Sequence, residues 1–252
     1  MCIRDRFRPQ LIAALQLLER GWLARAELKG AWAGELGQVQ LLPTDYLTFG
    51  TDGDGDGRVH LKASAADVIP TAARFIRHLG WRAGEPWLEA VRVPAELPWE
   101  QAGVYQRYPR SHWATLGVSA ADGTALPTEG RAGWLDAALL LPMGRNGPAF
   151  LAYPNFDVYL SWNQSLTYCI TAAYFATRLG GAPSIDPGNP EPGLDADQTR
   201  QLQQLLSARG HDVGDIDGIL GEKTRVAVRT EQQRLGLPAD AWPTPDLLAR
   251  LR

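Results

Sequence analysis

Residues 34–61 read GELGQVQLLPTDYLTFGTDGDGDGRVHL, and within them Asp52, Asp54 and Asp56 are each followed by a glycine. Alternate acidic residues, a glycine at the sixth position (Gly57) and a main-chain carbonyl at the seventh (Arg58) match the first half of an EF-hand loop, whose hard oxygens suit calcium. The twelfth position is Ala63, where such a loop needs a Glu. The competing reading is a solvated acidic turn, which Asp-Gly repeats commonly form.

Outward from this loop the pattern is helical on both sides. Upstream, FRPQLIAALQLLERG (residues 7–21) places Phe7, Leu11, Leu15 and Leu18 on one face and ends at Gly21, which predicts a core helix. Downstream, SAADVIPTAARFIRHLGW (64–81) repeats the period through Val68, Ala72, Phe75, Ile76 and Leu79. Ser64 and Asp67 form a candidate capping box, and Gly80 closes the helix. Further on, DAALLLPMGRNGPAFLAYPNF (136–156) reads as two apolar strands around the turn GRNG, with WLEAVRVP and TLGVSA as weaker strands. A third helix is expected from about Asn163 to Leu179. Residues 180–193, GGAPSIDPGNPEPG, lack any apolar period and read as a flexible linker. Three short helices follow, the last with Thr244 as N-cap and Pro245 in its first turn. The expected architecture is α+β and mainly helical: a domain over 1–179 with a small inserted antiparallel sheet, the linker, and a three-helix bundle over 194–252.

Composition narrows the function. A chain of 252 residues with 45% hydrophobic content can bury one full core and a small second one. With 25 basic and 28 acidic residues the net charge is −3, which argues against nucleic acid as the main partner. Cys2 and Cys169 are far apart and no zinc spacing accompanies them, so neither a disulfide framework nor a structural zinc is indicated. The four histidines show no metal spacing, and no phosphate-binding glycine loop follows a strand.

Two blocks carry a family resemblance. LQQLLSARGHDVGDIDGILGEKTRVAVRTEQQRLGLPADAWPT (202–244) resembles the type 1 peptidoglycan-binding domain through its Gln-x-x-Leu helix, its Asp-Gly-x-x-Gly-x-x-Thr turn and its Gly-Leu-Pro. The resemblance implies that Asp217, Gly218, Gly221 and Thr224 carry the peptidoglycan-binding turn. Glu231 departs from it, standing where the family has an aromatic, and so does Ala241, where the family has Gly. A carboxylate in a core position is costly unless it reaches solvent, so a weakened module is expected.

GAWAGELGQVQLLPTDY (30–46) and LLLPMGRNGPAFLAYPNFDVYLSWNQSLTY (139–168), in that order, resemble the membrane-bound lytic murein transglycosylase B family. That implies a lysozyme-like cleft cutting between N-acetylmuramic acid and N-acetylglucosamine with formation of a 1,6-anhydro end. A single Glu serves there as acid and then base, because the attacking hydroxyl belongs to the substrate. Gln40, Asn163 and Tyr168 match cleft positions that bind sugar, although Gln40 could instead cap a turn and Asn163 a helix. Ala31 replaces a family Ser. The family's shortened calcium loop takes a later carboxylate, matched by Asp67, which completes a metal set of Asp52, Asp54, Asp56, the Arg58 main chain and Asp67. The family's general acid is expected upstream of Phe7, as is any signal segment or lipid anchor, and Glu35 is a poor substitute. The expectation is a periplasmic or cell-envelope enzyme that uses no organic cofactor. Its rival is a non-catalytic peptidoglycan-binding protein with a vestigial sugar cleft.

Overall fold

The structure, a computed structural model, describes residues 3–252; Cys2 lies outside the described residues. The chain divides into two compact units, residues 1–81 and 82–252. This boundary falls inside the span expected to form the first domain.

The first unit contains α1 (Ile3–Glu19), α2 (Pro43–Phe49) and α3 (Ala65–His78). The turn after α1 contains Gly21, whose φ of +71° suits the residue without a Cβ. The face it buries is not the one expected. Ala13, Ala14 and Leu17 are buried, whereas Leu11 and Leu15 are 62% and 55% exposed. The stretch is apolar around most of its circumference, so periodicity alone does not choose a face; α2 packs on the side where two alanines permit close approach. From α2, the fully buried Tyr46 accepts the Leu61 N–H at 3.0 Å and donates to the Val59 carbonyl at 2.8 Å. Burial pushes its phenol up to about 12. A side chain thus supplies the partners that a neighbouring strand would otherwise give this segment.

In the second unit, β1 (Leu88–Arg92), β2 (Tyr108–Pro109), α4 (Arg110–Thr115), β3 (Ser119–Ala120), α5 (Gly130–Trp134), β4 (Asp136–Leu140) and β5 (Ala149–Ala152) come first. The strands form an antiparallel sheet in the order β2-β4-β5-β1-β3, with β4 and β5 joined through the GRNG turn as expected. Both faces are covered. One carries Trp113, Leu139, Leu151 and Tyr153. The other carries Leu140 and Phe150 against Phe156, Cys169 and Ile170. Trp113 is fully buried and donates its indole N–H to the Ala137 carbonyl at 2.9 Å.

The helix expected from Asn163 is preceded by one that the pattern did not reveal. These are α6 (Pro154–Trp162) and α7 (Leu166–Leu179). Pro154 starts α6 in its first turn, where its missing N–H costs nothing, and the chain breaks at Asn163.

The last three helices are α8 (Ala196–Ala208), α9 (Glu222–Arg234) and α10 (Pro245–Arg250), around Leu202, Leu206, Val228, Leu247 and Leu251. Thr244 caps α10 as expected, accepting the Leu247 N–H at 3.2 Å. Asp195 and Gln198 form a reciprocal capping box on α8, at 2.8 and 3.0 Å. Residues 180–193 carry no helix or strand, but they are tacked down along their length. Ile185 N–H donates to the Tyr174 hydroxyl at 2.8 Å, Asn189 N–H to the Asn146 carbonyl at 2.8 Å, and the Trp242 indole to the Glu191 carbonyl at 2.9 Å. The segment that the sequence reads as a flexible linker thus makes hydrogen bonds to α7, the β4–β5 turn and Trp242.

Candidate functional site

The acidic loop is organised around its own main chain. Asp52 accepts the N–H groups of Gly55 and Gly57 at 2.6 and 2.8 Å, Asp56 accepts that of Arg58 at 2.8 Å, and Asp54 accepts the Ser64 hydroxyl at 3.0 Å. The Gly57 bond is the main reason the Asp52 carboxyl is held below the usual carboxylate range. Carboxylate oxygens of Asp52, Asp54 and Asp56 lie within 4.8 Å of one another. Three like charges this close repel unless a cation joins them, and an all-oxygen donor set is the kind a calcium ion takes.

Asp67 is placed differently from the other three. It is 1% exposed, and its two oxygens accept Gly53 N–H at 2.9 Å and His60 N–H at 2.7 Å. Ser64 caps α3 by accepting Asp67 N–H at 3.3 Å, but the return half of the expected capping box is not made because the carboxylate is committed to the loop. Asp67 therefore clamps both ends of the acidic loop to α3. Gly53 is forced by space, since a Cβ there would stand 1.9 Å from the Ala66 carbonyl oxygen.

Elsewhere in the first unit a cavity of about 260 Å³ opens between α1 and the 28–36 segment, lined by Phe7, Leu11, Gly30, Ala31 and Gly34 among others. Ala31 contributes only a methyl group to this wall. Trp32 between Ala31 and Ala33 is 94% exposed, a flat apolar surface that pattern reading passed over. Gln40 is exposed, adopts φ +52° and donates from Nε2 to the Gly37 carbonyl at 2.7 Å. The turn-capping reading of Gln40 is thus realised, and its Oε1 stays available. A non-glycine residue in the left-handed region is held there by its surroundings, which is common at binding sites. Glu35 accepts Ala33 N–H at 3.2 Å within its own turn and does not line the cavity.

In the second unit Asn163 and Tyr168 flank the α6–α7 junction. Asn163 ends α6 and its Oδ1 accepts Ser165 N–H at 2.8 Å, while Ser165, not Asn163, caps α7. The buried Cys169 thiol contacts the Asn163 carbonyl at 2.8 Å, and burial pushes that thiol up to about 11. Tyr168 is 55% exposed, with its ring presented to solvent. A feature that pattern reading missed lies on the sheet: Glu89 binds Arg110 at 2.5 Å and the Tyr153 hydroxyl at 2.5 Å beside a groove of about 870 Å³. No local motif announces it, because its members are separated by 21 and 64 residues.

The module's signature turn is wired inward. Gln203 Nε2 reaches the Asp215 and Ile219 carbonyls, Asp217 Oδ1 and Thr224 Oγ1 at 3.1–3.4 Å, and its Oε1 accepts Gly218 N–H at 2.9 Å. Thr224 is fully buried, and Gly221 occupies the N-cap position of α9. Asp217, Gly218, Gly221 and Thr224 therefore shape the loop, and its exposed side chains include Asp215 and Asp217 together with the apolar Ile216 and Ile219, at 44% and 66% exposure. Glu231 is buried but not stranded. His211 Nε2 and Arg234 Nε each donate to it at 2.8 Å. Burial works against its charge, yet these partners prevail and hold its carboxyl below the usual range, which removes the reason to expect a weakened module.

The transglycosylase SLT domain family matches residues 4–177 and the peptidoglycan binding domain family matches residues 195–251. The chain belongs to the transglycosylase SLT family and carries a C-terminal peptidoglycan-binding domain. Its lysozyme-like, mainly helical fold is that of solved relatives. The chain is 39% identical to SltB3 of Pseudomonas aeruginosa, solved in complex with NAG-anhNAM-pentapeptide, with a TM-score of 0.86 over 100% of this chain and 68% of that one. It is 28% identical over 144 residues to the membrane-bound lytic murein transglycosylase B of Escherichia coli K12, covering 57% of this chain and only 37% of that protein. The Escherichia coli lytic transglycosylase Slt35, solved in complex with calcium, is 25% identical with a TM-score of 0.53, over 69% of this chain and 55% of that one.

Proposed function

We propose that this chain is the murein-engaging part of a lytic transglycosylase that cleaves the MurNAc–GlcNAc bond and leaves 1,6-anhydro ends, working in the periplasm or cell envelope. The observation that carries this reading is the succession of the two family matches, 4–177 and 195–251, on one chain. We divide it functionally into a lytic transglycosylase domain over 1–179, a connector over 180–193 and a wall-binding module over 194–252. Gln40, Asn163 and Tyr168 hold and orient sugar: Gln40 through its free amide oxygen, Asn163 through its Nδ2, and Tyr168 through an exposed ring suited to stacking on a pyranose face. Asp52, Asp54, Asp56 and the Arg58 carbonyl are the donors that would hold a calcium ion, which would neutralise the loop and fix it. Asp67 supports that set by clamping the loop, its two oxygens already accepting the Gly53 and His60 N–H groups.

The proton for the leaving sugar oxygen is assigned to no residue among those described. Glu35 commits a carboxylate oxygen to Ala33 N–H within its own turn and does not line the neighbouring cavity. That observation also favours a second reading, a peptidoglycan binder whose cleft only grips sugar.

Digestion of purified sacculi followed by chromatography separates the possibilities. The 252-residue chain should co-sediment with sacculi and release essentially no 1,6-anhydromuropeptides, since general acid–base catalysis contributes about 10²–10⁴-fold. Release should appear when a segment bearing the family's Glu is supplied upstream of Phe7; its failure to appear would favour the binder. Abundant anhydro products from the chain itself, lost on Glu35→Gln, would make Glu35 the acid.

A further inference from the structure

Helix α9 buries charge on the side facing the sheet. Arg225 and Arg229 are each only 9% exposed, unusual for arginine. Arg225 Nη2 donates to the Pro142 carbonyl at 2.9 Å, and its guanidinium lies 5.8 Å from the Trp242 ring centre. Arg229 fills the space over Gly103 so closely that a Cβ there would meet its Nη2 at 2.6 Å. Glu222, on the same face, is the acid these two cations oppose. Asp240 completes the seam: one oxygen accepts Arg145 N–H from the β4–β5 turn at 3.1 Å, and the other accepts Gln232 Nε2 at 2.8 Å. Trp242 packs against Gly144 and Gly193, where a Cβ would stand 2.8 and 2.6 Å from it.

We propose that the C-terminal module is a fixed face of the sheet body, not an anchor swinging on a tether, and that α9 with the 238–242 loop is an interaction surface whose partner is the β4–β5 turn and Gly103 of the same chain. A helix that swung free would gain nothing from withdrawing two guanidinium groups from water. Desolvating such groups is costly unless it is offset. Arg225 is hydrogen-bonded to the Pro142 carbonyl, Glu222 and Asp240 supply opposite charge to both, and Arg229, whose Nε is buried without a hydrogen-bond partner, is seated by its close packing on Gly103. Glycines at 103, 144 and 193 admit the partner side chains at distances no other residue permits. Murein gripped by the module is then held at a set offset from the sheet.

Pulsed dipolar spectroscopy tests this on the full chain, with Cys2→Ser and Cys169→Ala and spin labels on cysteines replacing the exposed Ile219 and Trp134. The parent should give one narrow distance distribution, and Arg225→Ala with Arg229→Ala should at least double its width. Where that pair of changes prevents folding, Gly193→Ala, whose Cβ would stand 2.6 Å from the Trp242 ring at a position without positive φ, should broaden it instead. A broad distribution in the parent, or an unchanged width in a folded variant, would overturn the proposal. No murein enters the measurement, so its outcome is independent of the proposed function.

Discussion

Ala241 sits 3% exposed at φ +61°, a backbone region where a Cβ crowds the following carbonyl at a cost of about 1–2 kcal/mol. It is held there because its N–H donates to Gln232 Oε1 at 2.9 Å inside the module seam. Ala241→Gly should therefore stabilise the chain by about 1 kcal/mol, read as a rise of about 2–4 °C in melting temperature. Glu231 tests the opposite case. Its carboxyl lies below the ordinary value in the folded state, so its contribution is present at neutral pH and is lost as pH falls through that lowered value. Glu231→Gln should cost about 1–3 kcal/mol at pH 7 and flatten the acid limb of a stability-against-pH curve. The sequence shows that Glu231 is out of place in an apolar position, but not what rescues it. His211 lies 20 residues away, beyond any helical spacing, and only folding brings it in.

The acidic loop and α3 behave as one element, because Asp67 ties Gly53 and His60 to the helix start. A ligand that binds only this folded arrangement raises stability by RT ln(1 + [L]/Kd), about 2.7 kcal/mol at a hundredfold excess over Kd. Calcium should raise the melting temperature, and Asp54→Ala with Asp56→Ala should abolish the rise; calorimetry in chelator and in calcium would show it. The alternating aspartates made the loop legible, as the Ser64 cap and Gly80 made α3 legible. The role of Asp67 was not, since the same residue satisfies a capping box on paper and the choice depends on where the loop folds back. Helix α1 was legible as a helix but not in its buried face, and α6 was hidden by an apolar run that strand and helix share.

At the scale of the chain, the small sheet and the terminal bundle were readable from period and punctuation, whereas α2, α4, α5 and α6 were not. The partition at residues 81/82 was not, nor was the seating of the bundle on the sheet, because both depend on contacts between residues far apart in sequence. A net charge of −3 supplies no broad attractive field for an anionic polymer. Retention on sacculi should thus rest on short-range contacts and change less than about threefold between 50 and 500 mM salt, where a field-driven binder loses most of its affinity. Co-sedimentation across that range is the measurement, and a steep loss would indicate that local charge patches dominate.

The three glycines of the acidic loop are required for two different reasons. At Gly55 and Gly57, φ is +76° and +84° and nothing stands within 4 Å of where a side chain would begin, so the obstacle is handedness alone. At Gly53 the obstacle is volume, with the Ala66 carbonyl already occupying the place of a Cβ. A mirror-image D-alanine, for which positive φ is the relaxed state, is thus the natural occupant of positions 55 and 57, whereas L-alanine at Gly53 has no room at all. One repeated dipeptide encodes a chirality requirement twice and an excluded volume once.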